Sequence, residues 1–111
     1  MTGRSDVLDR LMSLISDRKA NPPERSYTTA LFNGGVTKIG AKIIEEAAEV
    51  VEAAGESGDE GRDHLIHEAA DLIYHLFVML GHRDVGLEEV KGELGRRFGI
   101  SGLDEKESRQ P

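Results

Sequence analysis

The residues with the most chemistry in them stand in two short runs. The first is Glu45, Glu46, Glu49 and Glu52, four carboxylates in eight residues, with only Ala and Val between them. The second is Glu68 and Asp71, in an otherwise apolar stretch. Neither run holds a helix breaker, so each reads as helical. At about 100° per residue, Glu45, Glu49 and Glu52 share one narrow stripe, with Glu46 about a quarter-turn to the side. Val36, Ile43, Ala47, Val50 and Ala54 fall on the opposite face. That pattern predicts a buried apolar face with the acids pointing away from it. Like charges one turn apart oppose the helix by roughly a few tenths of a kcal/mol per pair. Lys38 and Lys42 on the same stripe offset part of this, and a hard dication with oxygen ligands, Mg2+ or Mn2+, would offset more. Taken alone, the run also reads as a solvated acidic face.

The elements that must position these acids follow from apolar spacing. Val7, Leu8, Leu11, Met12, Leu14 and Ile15 predict a first helix over about residues 5–18, with Asp6 in its first turn. Pro22-Pro23 marks a loop over 19–25. Ser26, Tyr27, Thr28 and Thr29 offer caps for a short helix that Gly34-Gly35 stops. The acidic helix then runs over about 36–54. A glycine-rich turn over 55–61 makes the next helix, about 62–80, its antiparallel neighbour. That helix is apolar around nearly its whole circumference, which predicts burial on most sides. A small protomer offers little cover, so one face is expected to pack internally and another against a second copy, giving a homodimer. A fourth helix over 85–98 has Leu87, Val90, Leu94 and Phe98 as its seam. No strand-period segment or internal repeat is present. The expected fold class is all-α, a bundle-like protomer of four to five helices in a single domain over 1–111, with 1–4 and about 100–111 poorly ordered.

Composition narrows the function. The 111 residues carry a net charge of −7, which disfavours general binding to nucleic acid or to an anionic membrane surface. The absence of Cys excludes disulfides and thiolate metal sites. No stretch approaches the roughly 20 apolar residues of a membrane span, and the N-terminus lacks the apolar core of a signal peptide, so the expected location is the cytoplasm. Buried carboxylates cost roughly several kcal/mol each unless paired or metal-bound. Antiparallel packing would bring Glu45, Glu46 and Glu49 opposite Glu68 and Asp71, around one small volume. His64 and His75 lie on the same strip of the third helix as Glu68 and Asp71. His75 can orient the Asp71 carboxylate or simply be a packed histidine. His64, His67 and His82 read as solvent-facing or helix-end residues.

The spacing Glu45-Glu46-x-x-Glu49 followed by Glu68-x-x-Asp71 resembles that of the all-α nucleoside-triphosphate pyrophosphohydrolases, the MazG-like group. Ser26-Tyr27-Thr28, Leu31, Gly35, Lys38-Ile39, Lys42 and the block Glu68-Ala69-Ala70-Asp71-Leu72-Ile73-Tyr74-His75 narrow the resemblance to the phosphoribosyl-ATP pyrophosphatases. It extends over about residues 5–105. The resemblance implies Mg2+-dependent hydrolysis of phosphoribosyl-ATP to phosphoribosyl-AMP and pyrophosphate, the second step of histidine biosynthesis. It implies that Glu45, Glu46, Glu49, Glu68 and Asp71 hold Mg2+, for which Mn2+ can substitute, and that Glu46 or Glu49 handles the attacking water. Lys38, Lys42, Ser26, Tyr27, Thr28, His75 and Arg97, with Arg96 beside it, become candidates for touching the nucleotide substrate. The lysines can equally balance the acids, the hydroxyls can cap a helix, and the arginines can be surface residues. Some relatives carry this domain behind a cyclohydrolase domain. This chain has no room for one and no Cys for its zinc site, so only the pyrophosphatase step is expected. A hydrolase of non-standard nucleotides in the same superfamily, and a non-catalytic helical dimerisation module, remain the competing readings. A carboxylate-bridged di-iron protein is disfavoured because no Glu-x-x-His pair exists.

Overall fold

The computed structural model describes residues 6–99, and the expectations for residues 1–4 and 100–111 lie outside them. Four helices follow in order: α1 (Val7–Ala20), α2 (Tyr27–Ala54), α3 (Gly58–His82) and α4 (Leu87–Gly99). No strand occurs among the described residues, so the all-α expectation holds. No helix among them is long and apolar enough to cross a membrane.

Each helix start has a local cause. Asp6 caps α1 rather than sitting in its first turn; its Oδ1 accepts from the Asp9 N–H at 2.9 Å. Ser26 caps α2 in the same way, its Oγ accepting from the Thr29 N–H at 3.1 Å. The expected break at Gly34-Gly35 is present as a kink. Gly35 has φ 70° and ψ −165°, a backbone that only glycine adopts without strain, and helix continues on both sides of it. The short helix and the acidic helix are therefore two segments of α2. The α2–α3 turn closes tightly at Gly61, where a Cβ would lie 2.6 Å from the Glu56 carbonyl oxygen.

α2 and α3 form an antiparallel pair that carries most of the helix packing, and α1 lies across the end where α2 begins and α3 finishes. The core is Met12, Ile15, Leu31, Ile39, Phe77 and Val78. Complete burial of each aliphatic side chain contributes about 1.5–3 kcal/mol. Lys19 fastens α1 to the end of α3: its Nζ donates to the carbonyls of Gly81 at 3.2 Å and His82 at 3.0 Å, and to Asp84 Oδ1 at 2.8 Å.

Two packing expectations are corrected. The buried line of α2 runs Ile39, Glu46, Ala53, and Val36 and Ala54 are exposed. Helix α3 packs against a line between the acidic stripe and the apolar one, so Glu46 points into the structure rather than away from it. The seam expected for α4 does not close either. Leu87 packs on the core, but Leu94 and Phe98 are exposed, Phe98 to 74%. The helix is held instead by Lys91, whose Nζ donates to Asp9 Oδ1 at 2.7 Å. Helix α3 leaves Ile66, Ile73 and Leu76 exposed, a face expected to lack cover within the protomer.

Candidate metal and substrate site

The antiparallel pairing brings the two acid runs together. Glu46 on α2 and Glu68 on α3 are only 6% and 7% exposed, which is rare for carboxylates without partners. Glu49 and Asp71 are half-buried and Glu45 is exposed. One ligand oxygen from each of Glu45, Glu46 and Glu49 lies within 4.8 Å of the others, and so do ligand atoms of His67, Glu68 and Asp71. Glu68 joins the two groups, close enough to Glu46 and Glu49 for each to shift the titration of the others.

The electrostatics follow from this crowding. Burial, then the hydrogen bond with Glu68 and the charges of Asp71 and Glu49, pushes the Glu46 carboxyl up to about 7. Glu49 is raised chiefly by its hydrogen bond with Glu68. Burial pushes Glu68 up, but hydrogen bonds from Glu46, Glu49 and His64 outweigh it and hold that carboxyl below its ordinary value. Among the described residues, Glu46 Oε1 and Glu68 Oε1 are buried with no hydrogen-bond partner. Two orphaned carboxylate oxygens in an all-oxygen acidic set are the donors that a hard dication takes.

A stability consequence follows. Folded Glu46 keeps its proton up to about pH 7, whereas the ordinary value is 4.5. The folded state therefore binds more protons than the unfolded chain between these values, and stability falls as pH rises through that window. In EDTA, the melting temperature is expected to drop from pH 5 to pH 7.5. The drop should shrink in Glu46→Gln, which cannot ionise. A parent curve that is flat or rising, or a Glu46→Gln curve with the full parental drop, would contradict this origin.

The remaining candidates fall into three places. Tyr27, Thr28, Tyr74 and His75 form one cluster between α2 and α3. The Thr28 and Tyr74 hydroxyls hydrogen-bond each other, and the Tyr27 ring stacks on Tyr74 with centroids 6.2 Å apart. His75 is buried. Its Nδ1 donates to the Asp71 backbone carbonyl at 2.8 Å, so its Nε2 accepts from the Tyr27 hydroxyl at 2.9 Å. His75 thus meets the Asp71 main chain, while the Asp71 carboxylate lies 3.3 Å from His67. All three hydroxyls of Ser26, Tyr27 and Thr28 have intramolecular partners, and the Tyr27 ring alone of the three is exposed. Lys42 lies on the acid side, 3.5 Å from Glu45 and near enough to Tyr27 and Glu46 to feel both. Lys38 is exposed one turn earlier. Arg96 and Arg97 both pair with Glu93 on α4, at 2.6 and 3.1 Å. The structure thus ties Arg97 to its own helix rather than to the acids of α2 and α3.

His64 is the residue that sequence reasoning passed over. It lies between Glu56 and Glu68, at 3.0 and 3.2 Å. The signal for it was the i,i+4 spacing of His64 and Glu68. A cavity of about 440 Å3 is lined by Ser16, Lys19, Ala20, Gly81, Asp84, Val85 and Gly86, at the junction of α1 with the end of α3. No acid of the cluster lines it, and the carboxylates lie along the open flank of the α2–α3 pair.

Comparison with known proteins agrees with this chemistry. Residues 8–98 match the family described as phosphoribosyl-ATP pyrophosphohydrolase. The chain is 56% identical over 102 residues to the phosphoribosyl-ATP pyrophosphatase of Rhodopirellula baltica, covering 92% of this chain and 85% of that one. It is 49% identical to the protein of that name from Geotalea daltonii, over 94% of this chain and 95% of the other. It is 47% identical to the one from Geobacter sulfurreducens, over 98% of both.

Proposed function

The chain belongs to the phosphoribosyl-ATP pyrophosphohydrolase family, and from that membership we propose that it hydrolyses phosphoribosyl-ATP to phosphoribosyl-AMP and pyrophosphate, the second step of histidine biosynthesis, in the cytoplasm. The observation that carries the site is the pair of buried, unpartnered oxygens, Glu46 Oε1 and Glu68 Oε1, between α2 and α3. Glu45, Glu46, Glu49, Glu68 and Asp71 would hold Mg2+, or Mn2+ in its place, and the ion when bound supplies positive charge against the triphosphate and its developing negative charge.

The chain's own residues do the rest. Glu46, buried between α2 and α3 within the cluster, would take the proton of the attacking water. Glu49, half-buried beside it, would help to hold that water. The water oxygen bonds to the α-phosphorus, the bond to the bridging oxygen breaks, and pyrophosphate leaves with both outer phosphoryl groups. Lys42, on the acid side of α2, contacts phosphate oxygens. The exposed Tyr27 ring and Lys38 border the path that the rest of the nucleotide takes. The direct test is product identity. Phosphoribosyl-AMP and pyrophosphate should appear one to one; orthophosphate as the main product would refute the assignment.

The protomer leaves apolar surface on the same helix pair. Ile44 and Val51 on α2 are each 73% exposed, and Ile66, Ile73 and Leu76 on α3 are open to solvent. Apolar surface of this extent on two adjacent helices is covered in stable soluble proteins. A second copy meeting this surface would give the homodimer, with the acids flanked by a further wall. Sedimentation at micromolar concentration should show the dimer, and Ile44→Asp should shift it towards monomer. A soluble parent monomer under those conditions would contradict this part of the proposal.

A further inference from the structure

We propose that His64, braced from behind by Glu56, is a positioning residue that fixes Glu68 so that its Oε1 alone is presented to the dication site. The inference rests on the dication reading above and adds to it two residues outside the acid motif. Glu68 Oε2 is engaged by His64 Nε2 at 3.2 Å, whereas Glu68 Oε1 is buried and unpartnered. On its other side, His64 Nδ1 meets Glu56 Oε1 at 3.0 Å. Each ring nitrogen meets one carboxylate oxygen, so the imidazole is held at both ends. Side-chain exposure falls from 44% at Glu56 to 35% at His64 and 10% at Glu68. The three residues form a line from the α2–α3 turn inward to the buried oxygen. Two effects of His64 oppose each other. A charged ring would repel a dication, and the hydrogen bond stops Glu68 from rotating. Glu56 offsets the charge from 3.0 Å away, so the orienting effect is the one that survives. Hydrogen bonds that orient a metal-holding carboxylate typically contribute about ten- to a hundredfold in metal affinity.

The test is Mn2+ binding by the full chain, read from the electron paramagnetic resonance of the free ion, with helical circular dichroism as the control for folding. Alongside it, the Mg2+ concentration for half-maximal pyrophosphate release and the substrate KM at saturating Mg2+ are measured. His64→Leu is expected to weaken Mn2+ binding about ten- to a hundredfold and to raise the Mg2+ requirement in step, with KM moving much less. His64→Gln keeps an N–H donor one turn from Glu68 without the charge, and should recover most of the loss. Glu56→Gln, at an exposed position, should weaken binding by a smaller factor and serves if His64→Leu folds poorly. Unchanged or tighter Mn2+ binding in both His64 variants would overturn the inference, because His64 would then be a mere competing cation. So would Glu56→Gln binding Mn2+ as the parent does. A parent protein that binds neither Mn2+ nor Mg2+ would overturn the dication reading itself, and this inference with it.

Discussion

Asp71→Ala and Glu49→Ala are each expected to lower Mg2+-dependent pyrophosphate release at least about a thousandfold. A bound dication stabilises the charge of a phosphoryl-transfer transition state by several kcal/mol, and each 1.36 kcal/mol is tenfold in rate, so about 4 kcal/mol lost is about three decades. Both residues are half-buried at the edge of the cluster, so their removal opens no cavity in the apolar core. Helical circular dichroism should survive. The metal-free melting temperature should hold or rise, because one of several crowded carboxylates is gone. What should disappear is the rise in melting temperature that Mg2+ produces in the parent by binding only the folded state. Asp71→Ala with parental activity would remove Asp71 from the site.

The second large effect is substrate choice. ATP and phosphoribosyl-ATP carry the same triphosphate, so the acid cluster cannot separate them. Discrimination must come from groups that reach the additional ribose phosphate. A charge-assisted hydrogen bond to that phosphate contributes about 1.5–3 kcal/mol, or about ten- to a hundredfold. The structure sorts the candidates. Ser26 Oγ caps α2, and Thr28 is buried against Tyr74. Thr28→Val should therefore lower stability more than selectivity. Tyr27 and Lys42 have surface to offer beside the acids. Tyr27→Ala and Lys42→Ala should both shrink the preference for phosphoribosyl-ATP. Selectivity unmoved by either would place the recognising groups elsewhere.

Much of this was readable in the residues. The spacing of Val7 to Ile15, the prolines at 22 and 23 and the glycines at 34, 35 and 55–61 placed every helix within a few residues. The acid spacing, with a tight turn between its halves, put Glu46 opposite Glu68. What the periodicity could not decide was which line of α2 faces α3. An apolar arc spanning Val36, Ile43 and Val50 suggested one direction, but α3 packs along Ile39, Glu46 and Ala53. The apolar surplus of α3 hid its own orientation, since a helix apolar on every side has no period to read. The same surplus leaves Ile66, Ile73 and Leu76 uncovered. The seam of α4 looked complete on the page, yet only its first turn reaches the core. A hydrophobic stripe states that a face wants cover, not that this chain supplies it. His64 was read as solvent-facing because one helical turn separates it from Glu68, a spacing that surface pairs also have. Only the burial of Glu68 gives the His64 contact its meaning.

A Mg2+-dependent pyrophosphatase that prefers phosphoribosyl-ATP should reveal itself in one set of initial rates. Pyrophosphate release is measured from phosphoribosyl-ATP, ATP and dATP at equal concentration with Mg2+, and again after EDTA. Release should be rapid from phosphoribosyl-ATP, at least about tenfold slower from the other two, and absent after EDTA. Equal rates for all three would move the chain to a hydrolase of nucleotides in general, and release undiminished by EDTA would contradict the carboxylate site at its base.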